Sequence, residues 1–185
     1  MTSSEPDPDQ GAGGAVVVDS PIGSLRLESN GRALTLIRFD AEFGPVTTAD
    51  PDPAAVTDPV LVAAMEQLTE YFAGERQEFD LPLEPAGSAF QREVWAALVE
   101  IGYGETISYG ELAQRTGRTI AASRAVGLAN GANPIPVVIP CHRVIGANGT
   151  LVGYGGGLDR KRLLLGLESE HSDPEPAGAL QDRLL

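Results

Sequence analysis

One cysteine, Cys141, lies in a segment whose residue types suit nucleophilic chemistry. Pro140 precedes it, His142 and Arg143 follow it, and the apolar run before it is interrupted by prolines. A free thiol has a pKa near about 8.5, so only a few per cent is thiolate at neutral pH. A histidine held by a carboxylate would raise that fraction by accepting the proton, directly or through a water. The segment predicts either a reactive cysteine or an inert one beside a hydrogen-bonded histidine, and composition alone favours the inert interpretation.

The rest of the sequence offers few residues for metal or phosphate chemistry. Besides Cys141, it contains only two histidines, His142 and His171. One cysteine excludes internal disulfides and any zinc site built from several thiolates, so we expect no metal and no cofactor. The glycines between Gly153 and Gly157 lack the strand, helix and lysine of a phosphate-binding loop, which favours a flexible active-site loop instead.

The elements that must position Cys141 are predicted from helix caps and apolar spacing. Two capping-box patterns, Ser88 with Gln91 and Ser108 with Glu111, each precede a helical run. A further helix, rich in alanine and glycine, is expected over about 120–130. Two short helices around a glycine-containing turn are typical of a helix-turn-helix, but also of a plain packing unit, and this pattern alone leaves both open.

The first half of the chain predicts a small antiparallel sheet. The runs Ser24–Ser29 and Arg32–Phe39 alternate apolar and polar residues around Asn30 and Gly31, which is a strong hairpin signal. Residues 16–19 are a candidate third strand. The prolines within 40–58 indicate a loop.

One helix is predicted to follow this sheet. Asp58 and Pro59 suit the N-cap and first turn, and Gly74 ends the run. We expect one apolar face, composed of Val62, Met65, Leu68 and Phe72.

Together these elements predict an α+β fold. A small antiparallel-sheet amino-terminal domain over 15–87 would precede a helical carboxy-terminal domain over 88–169 that contains the helix-turn-helix. Residues 1–14 and 170–185 are polar and proline-rich, and we expect a disordered tail and a flexible tail there.

Charge is distributed unevenly along the chain. The net charge is −13, but residues 1–87 carry −12, residues 88–168 carry +2 and residues 169–185 carry −3. Because phosphate attraction depends on the local field, the middle segment remains a candidate DNA face. No apolar run is long enough for a membrane span and no secretory signal is evident, so we expect a cytoplasmic protein without a membrane partner.

Three stretches are specific enough to suggest a family. They are ISYGELA (107–113), RAVGLANGANPIPVVIPCHRVIG (124–146) and GYGGGLDRKRLLLGLE (153–168). Through them the chain resembles the O6-alkylguanine-DNA alkyltransferases, or methylated-DNA–protein-cysteine methyltransferases, of the bacterial single-chain type. The resemblance runs from about Ser20 to Glu168. It implies DNA repair by direct, irreversible transfer of an alkyl group from O6-methylguanine, with O4-methylthymine as a second candidate lesion, to the protein's own cysteine.

The resemblance also implies roles for the residues around the thiol. Cys141 would be the acceptor nucleophile, His142 its base through a water, and Glu168 the carboxylate that orients the imidazole. Asn133 would fix the turn before the nucleophile. Since S-methylcysteine is a thioether and the chain has no second thiol, each molecule would act once.

The partner implied is double-stranded DNA with alkylated bases, bound by a monomer through the minor groove. Tyr109 would donate to the base and help rotate the nucleotide, and Arg124 would fill the space that the everted base leaves. Further substrate or DNA contacts would come from Ser123, Ala125 and Gly127 on the helix face, and from backbone groups of Cys141, Val144, Tyr154 and Gly155. The candidate phosphate contacts are Arg92, Arg115, Arg118, Arg160 and Lys161.

Two other classes of function compete with alkyl transfer. A lesion-binding DNA module would bind alkylated duplex and leave the methyl group in place. A cysteine hydrolase would turn over an ester or peptide, but no oxyanion-hole pattern is evident in the sequence. Transfer of label to the cysteine, binding of alkylated duplex without transfer, and turnover of an ester or peptide are the outcomes that discriminate among the three.

Overall fold

The structure is a computed structural model that describes residues 13–40 and 52–172. The predicted tails, apart from residues 13–14 and 170–172, and residues 41–51 of the predicted loop lie outside the described residues. In chain order the elements are β1 (Ala15–Val18), β2 (Leu25–Ser29), β3 (Leu34–Phe39), α1 (Pro59–Phe72), α2 (Ala89–Val99), β4 (Ile107–Ser108), α3 (Tyr109–Arg115), α4 (Ser123–Gly131), β5 (Val144–Ile145) and α5 (Leu158–His171).

The first three strands form the predicted antiparallel sheet in the order β1-β2-β3. The hairpin turn between β2 and β3 is held by Asn30, whose side-chain oxygen accepts from the backbone N–H groups of Arg32 and Ala33 at 3.0 and 2.9 Å. Gly31 has a φ of 84°, a conformation that glycine adopts without strain. The sheet is joined to the segment before Cys141, because the N–H of Ile37 donates to the carbonyl of Pro134 at 2.8 Å.

Helix α1 begins and ends as predicted, and its buried face overlaps the expected one but is rotated from it. Asp58 accepts from the N–H of Val60 at 2.8 Å, and Gly74 follows the helix with a φ of 76°. Of the four residues expected on the apolar face, Leu68 is buried, Met65 and Phe72 are partly buried against the core, and Val62 is partly buried. The buried residues are Val60, Leu61, Ala64, Leu68 and Tyr71. The face is rotated because it packs Tyr71 toward α5, a tertiary contact that apolar spacing does not reveal.

The carboxy-terminal part is helical, as predicted. Both capping boxes are present, at Ser88 with Gln91 and at Ser108 with Glu111. Helices α3 and α4 pack against each other, and a 3-10 turn, Ile120–Ala122, leads into α4. Strands β4 and β5 form a short parallel pair that the sequence analysis did not anticipate. They place the end of the cysteine segment beside the start of α3.

One core connects the two halves of the described chain. Trp95 of α2 is buried and donates through its indole N–H to the carbonyl of Ala129 at 2.8 Å, which ties α2 to α4. Residues from the sheet, α1, α2 and the cysteine segment belong to the same apolar cluster. Among the helices described, none is long and apolar enough to cross a membrane.

Candidate active site

The segment that carries Cys141 is held in place by Asn133. Its side-chain amide donates to the carbonyl of Ile139 at 2.8 Å, and its side-chain oxygen accepts from the N–H of Ile135 at 3.0 Å. Between these contacts Val137 has a φ of 73°, which is strained for a β-branched residue. Cys141 then begins a single 3-10 turn, Cys141–Arg143, that buries all three of its side chains.

Glu168, on α5, is fully buried at the centre of a hydrogen-bond network. Its carboxylate contacts His142 Nε2 at 2.7 Å, and accepts from Arg143 through two N–H groups, each at 2.9 Å. The hydroxyl of Tyr71 donates to it at 2.7 Å and the N–H of Gly104 at 3.1 Å. Burial acts to raise the pKa of Glu168, but the hydrogen bonds and charges of His142 and Arg143 outweigh it and lower the pKa to about 2.

An ionised Glu168 decides the protonation of His142. Because the carboxylate only accepts hydrogen bonds, His142 Nε2 must carry the proton that it donates. Burial lowers the pKa of His142, against the opposing effect of Glu168, so the imidazole rests neutral with a lone pair on Nδ1. Nδ1 is buried and has no hydrogen-bond partner among the described residues. The imidazole is therefore a base with one free acceptor.

The thiol of Cys141 is free and buried, with 5% of the residue exposed. Burial raises the pKa of Cys141 to about 11, while the Asn133 amide and the charge of Lys161 oppose the rise. The resting thiol is therefore protonated, and the His142 imidazole does not hydrogen-bond to it, because Nε2 contacts Glu168 and Nδ1 has no partner among the described residues. Transfer of this proton to His142, directly or through a water, stays a prediction.

Lys161, on α5, is a buried cation close to this thiol. None of its surface is exposed, and its ammonium donates to the carbonyls of Val144 at 2.6 Å and Val152 at 2.9 Å. Burial lowers the pKa of Lys161, and the neighbouring Cys141 opposes that change. Its prediction as a phosphate contact is wrong, because the ammonium faces two interior carbonyls instead of solvent. The charge favours a thiolate at Cys141.

Cys141 borders an open cavity of about 220 Å³. The residues around it come from four places in the chain: β3, α4, the cysteine segment and the glycine-rich loop. They include Phe39, Asn130, Asn133, Cys141, Tyr154 and Gly155. The nucleophile is thus accessible from a cleft and not sealed in the core.

Among the predicted base contacts, Tyr109 lies near Cys141 but is not one of the residues that line this cleft. Tyr109 lies against Gly127, where an added Cβ would be 3.4 Å from the tyrosine ring. Its hydroxyl donates to the carbonyl of Val152 at 3.2 Å, so this donor is bound to the glycine-rich loop in the free protein. Burial, followed by the proximity of Cys141, raises the pKa of Tyr109.

The other predicted base contacts are also near the thiol. Tyr154 has a hydroxyl that is buried without a partner among the described residues, and both burial and the proximity of Cys141 raise its pKa. Gly155 lines the cleft. Val144 is fully buried, and its carbonyl already accepts from Lys161.

The predicted DNA-facing residues of α4 do not share one face. Arg124 and Ala125 are exposed, whereas Ser123 and Gly127 are half-buried toward α3. The side chain of Arg124 forms no hydrogen bond or ion pair with any part of the chain that the structure describes.

The remaining phosphate candidates are engaged within the protein. Arg115 pairs with Glu105 at 2.7 Å, and Arg118 pairs with Glu93 at 2.8 Å. Arg160 binds Asp40 and the carbonyl of Ile22, and Arg92 donates to the carbonyl of Gly87. Arg124 differs from all four in having no such partner.

Sequence reasoning missed four residues of the site. Arg143 directly follows His142 within the stretch 124–146, so this motif was a usable signal. Lys161 was misassigned as a surface cation. Tyr71 gave no local signal, because 97 positions separate it from Glu168, whereas Asn130 lies within the stretch 124–146 and was assigned no role. Within residues 13–40 and 52–172, no group of three His, Cys, Asp or Glu side chains is placed to hold a metal.

Comparison with known proteins identifies the family. The profile of the 6-O-methylguanine DNA methyltransferase DNA binding domain matches residues 89–170. The profile of the ribonuclease-like domain of the same family matches residues 16–85. The two profiles together span most of the chain.

Curated relatives and solved structures agree with these profiles. A methylated-DNA–protein-cysteine methyltransferase of Mycolicibacterium paratuberculosis is 55% identical over 157 residues, 84% of this chain and 92% of that protein. The Mycobacterium tuberculosis O6-methylguanine methyltransferase superposes with a TM-score of 0.73 at 46% identity, covering 88% of this chain and 96% of that one. The M. tuberculosis OGT in complex with DNA gives 0.74 at 49% identity, covering 85% and 94%. The chain therefore belongs to the 6-O-methylguanine DNA methyltransferase family.

Proposed function

We propose that this protein repairs DNA by moving the methyl group of O6-methylguanine onto Cys141, once per molecule. The observation that carries the proposal is the buried Glu168–His142 pair directly after a free cysteine that borders an open cleft. This combination supplies a nucleophile, a base with a fixed tautomer and room for a substrate.

The bonds and protons of the reaction balance without a cofactor. The Cys141 thiol passes its proton through a water to Nδ1 of His142, and Glu168 stabilises the imidazolium through Nε2. Sγ attacks the methyl carbon in line, an S–C bond forms, and the C–O bond to the purine breaks. The purine oxygen leaves with its electron pair, and the proton held by His142 returns to the base to give guanine.

Charge around the thiol favours this step after a lesion fills the cleft. The resting thiol is neutral because burial raises its pKa to about 11. A nucleobase that fills the cleft excludes water from it. The Lys161 cation and the Glu168–His142 pair then act more strongly on a developing thiolate. His142 therefore accepts the thiol proton most readily when the substrate is in place.

DNA would be bound by a monomer through the minor groove, with α3 and α4 acting as a helix-turn-helix. Arg124 would replace the everted base in the stack, where a planar guanidinium compensates part of the cost of extrusion. Ala125, which is exposed and small, would allow the α4 backbone to approach the groove closely. Tyr109 would exchange the carbonyl of Val152 for the base edge.

The test is the fate of labelled methyl groups in excess methylated duplex. We expect transfer to the protein to stop at one equivalent, and Cys141→Ser to transfer none. Continued turnover would indicate a hydrolase, and tight binding of the duplex with no transfer would indicate a lesion-binding module. Either result would overturn the proposal.

A further inference from the structure

We propose that Asn130 determines base specificity by accepting a hydrogen bond from the exocyclic 2-amino group of the everted guanine. This inference rests on the proposed function, since it assigns one more substrate contact within the same cleft. It concerns a side chain, whereas the base contacts expected from Cys141 and Val144 are made by backbone groups.

The position of Asn130 is the first observation. It lies in the last turn of α4, lines the cleft beside Cys141, and has only 2% of its surface exposed. Its side-chain Nδ2 donates to the backbone carbonyl of Cys141 at 3.5 Å. That contact fixes the orientation of the amide, because the reverse orientation would set two oxygens against each other.

The second observation is the unpaired oxygen on the other side of this amide. Oδ1 of Asn130 is buried and has no hydrogen-bond partner among the described residues. A buried acceptor without a partner is destabilising, and a leucine would fill a similar volume without that cost. An unpaired asparagine oxygen in the lining of a substrate cleft therefore indicates a donor that arrives with the substrate.

The chemistry of the lesion identifies that donor. When the methyl group on the C6 oxygen faces Sγ of Cys141, guanine presents its 2-amino group on the same edge, two ring atoms away. Two acceptors belong to this place: the carbonyl of Cys141, and Oδ1 of the Asn130 amide whose Nδ2 contacts that carbonyl at 3.5 Å. A methylated thymine presents a carbonyl oxygen at the corresponding position, which would face these acceptors without a proton between them. Asn130 therefore favours guanine lesions over thymine lesions.

The test compares two duplexes that differ only in the 2-amino group, one with O6-methylguanine and one with O6-methylhypoxanthine. Single-turnover transfer to Cys141 is measured for the full chain. We expect the protein to react roughly tenfold faster with the guanine lesion, the effect of about one hydrogen bond. Asn130→Leu should abolish this preference, mainly by slowing the guanine reaction. The control Asn148→Ala, which removes an exposed amide, should retain it.

Two results would overturn the inference. Equal rates of the unsubstituted protein on the two duplexes would do so without reliance on any variant. An unchanged ratio in Asn130→Leu, or in Asn130→Ser if the leucine variant does not fold, would assign Asn130 a purely structural role. If neither duplex transfers methyl to Cys141, the proposed function itself fails, and that result is distinct from both.

Discussion

At the scale of single residues, reactivity depends on the protonation state of Cys141. A neutral thiol cannot remove the methyl group from a methylated nucleobase at a useful rate, since the thiolate is the nucleophile. The burial that shapes the cleft also raises the pKa of the thiol to about 11. The site thus combines a poorly ionised nucleophile with a neutral imidazole that is ready to accept its proton.

This state predicts the pH dependence of modification by a small reagent. The rate of reaction of Cys141 with iodoacetamide should rise about tenfold per pH unit from roughly pH 7 to roughly pH 9.5, because the thiolate fraction grows throughout that range. Mass spectrometry of the single cysteine gives the rate directly. The urea-unfolded protein is the control, and its profile should flatten above about pH 8.5. A plateau below pH 8 in the folded protein would contradict a raised pKa.

The residue types of the site were predictable, but their electrostatics were not. The motif pointed to Cys141, His142 and Glu168 because their identities carry the chemistry. Lys161 was misassigned because a lysine on a predicted helix is usually solvated. Only the three-dimensional contacts show that its ammonium faces the carbonyls of Val144 and Val152.

At the scale of elements, α1 and α5 are linked by one buried hydrogen bond from Tyr71 to Glu168. Tyr71→Phe removes only the hydroxyl, so the unfolding free energy should fall by about 1.5–3 kcal/mol, the usual effect of a hydrogen bond to a charged group. Methyl transfer should also slow, because the same carboxylate oxygen orients His142. Urea denaturation and single-turnover rates measure the two effects.

Tyr103→Phe is the matched control for this variant. The hydroxyl of Tyr103 is buried but has no hydrogen-bond partner among the described residues, so its removal should leave both stability and rate nearly unchanged. Equal losses in the two variants would mean that the Tyr71 contact has no special role.

A substitution in helix α4 can separate the effect of DNA binding from that of methyl transfer. Arg124→Ala should slow transfer from methylated duplex by roughly tenfold to a hundredfold, because extrusion of the base loses its replacement in the stack. Transfer from the free base O6-methylguanine should stay unchanged, since that substrate needs no extrusion. Arg162→Ala, an exposed arginine of α5, is the control. An equal effect of Arg124→Ala on both substrates would contradict its assigned role.

The starts of the helices could be predicted because the signals for them are local. Asp58, Ser88 and Ser108 act through contacts within three residues, so the sequence near each is sufficient to place a helix start. The buried face of α1 and the pairing of β4 with β5 depend on residues far along the chain. Those features are tertiary, and no local pattern contains them.

At the scale of the whole molecule, the charge distribution determines how many DNA phosphates the protein contacts and how strongly its binding depends on salt. The net charge of −13 is opposed only by a weakly positive segment, and most of its arginines are already paired. We therefore expect few phosphate contacts, on the order of three, and a slope of log K against log salt near about −3. Fluorescence anisotropy with a labelled duplex between about 50 and 200 mM salt measures the slope. A slope steeper than about −6 would require a basic surface that the described residues lack.

The central claim is that one thiol accepts one methyl group permanently. The most direct measurement is intact-protein mass spectrometry after incubation with excess methylated duplex, followed by peptide mapping. We predict that every molecule gains the mass of one CH2 unit, that the addition maps to Cys141, and that it persists after the DNA is removed. An unmodified protein, or an addition at any other residue, would contradict the account.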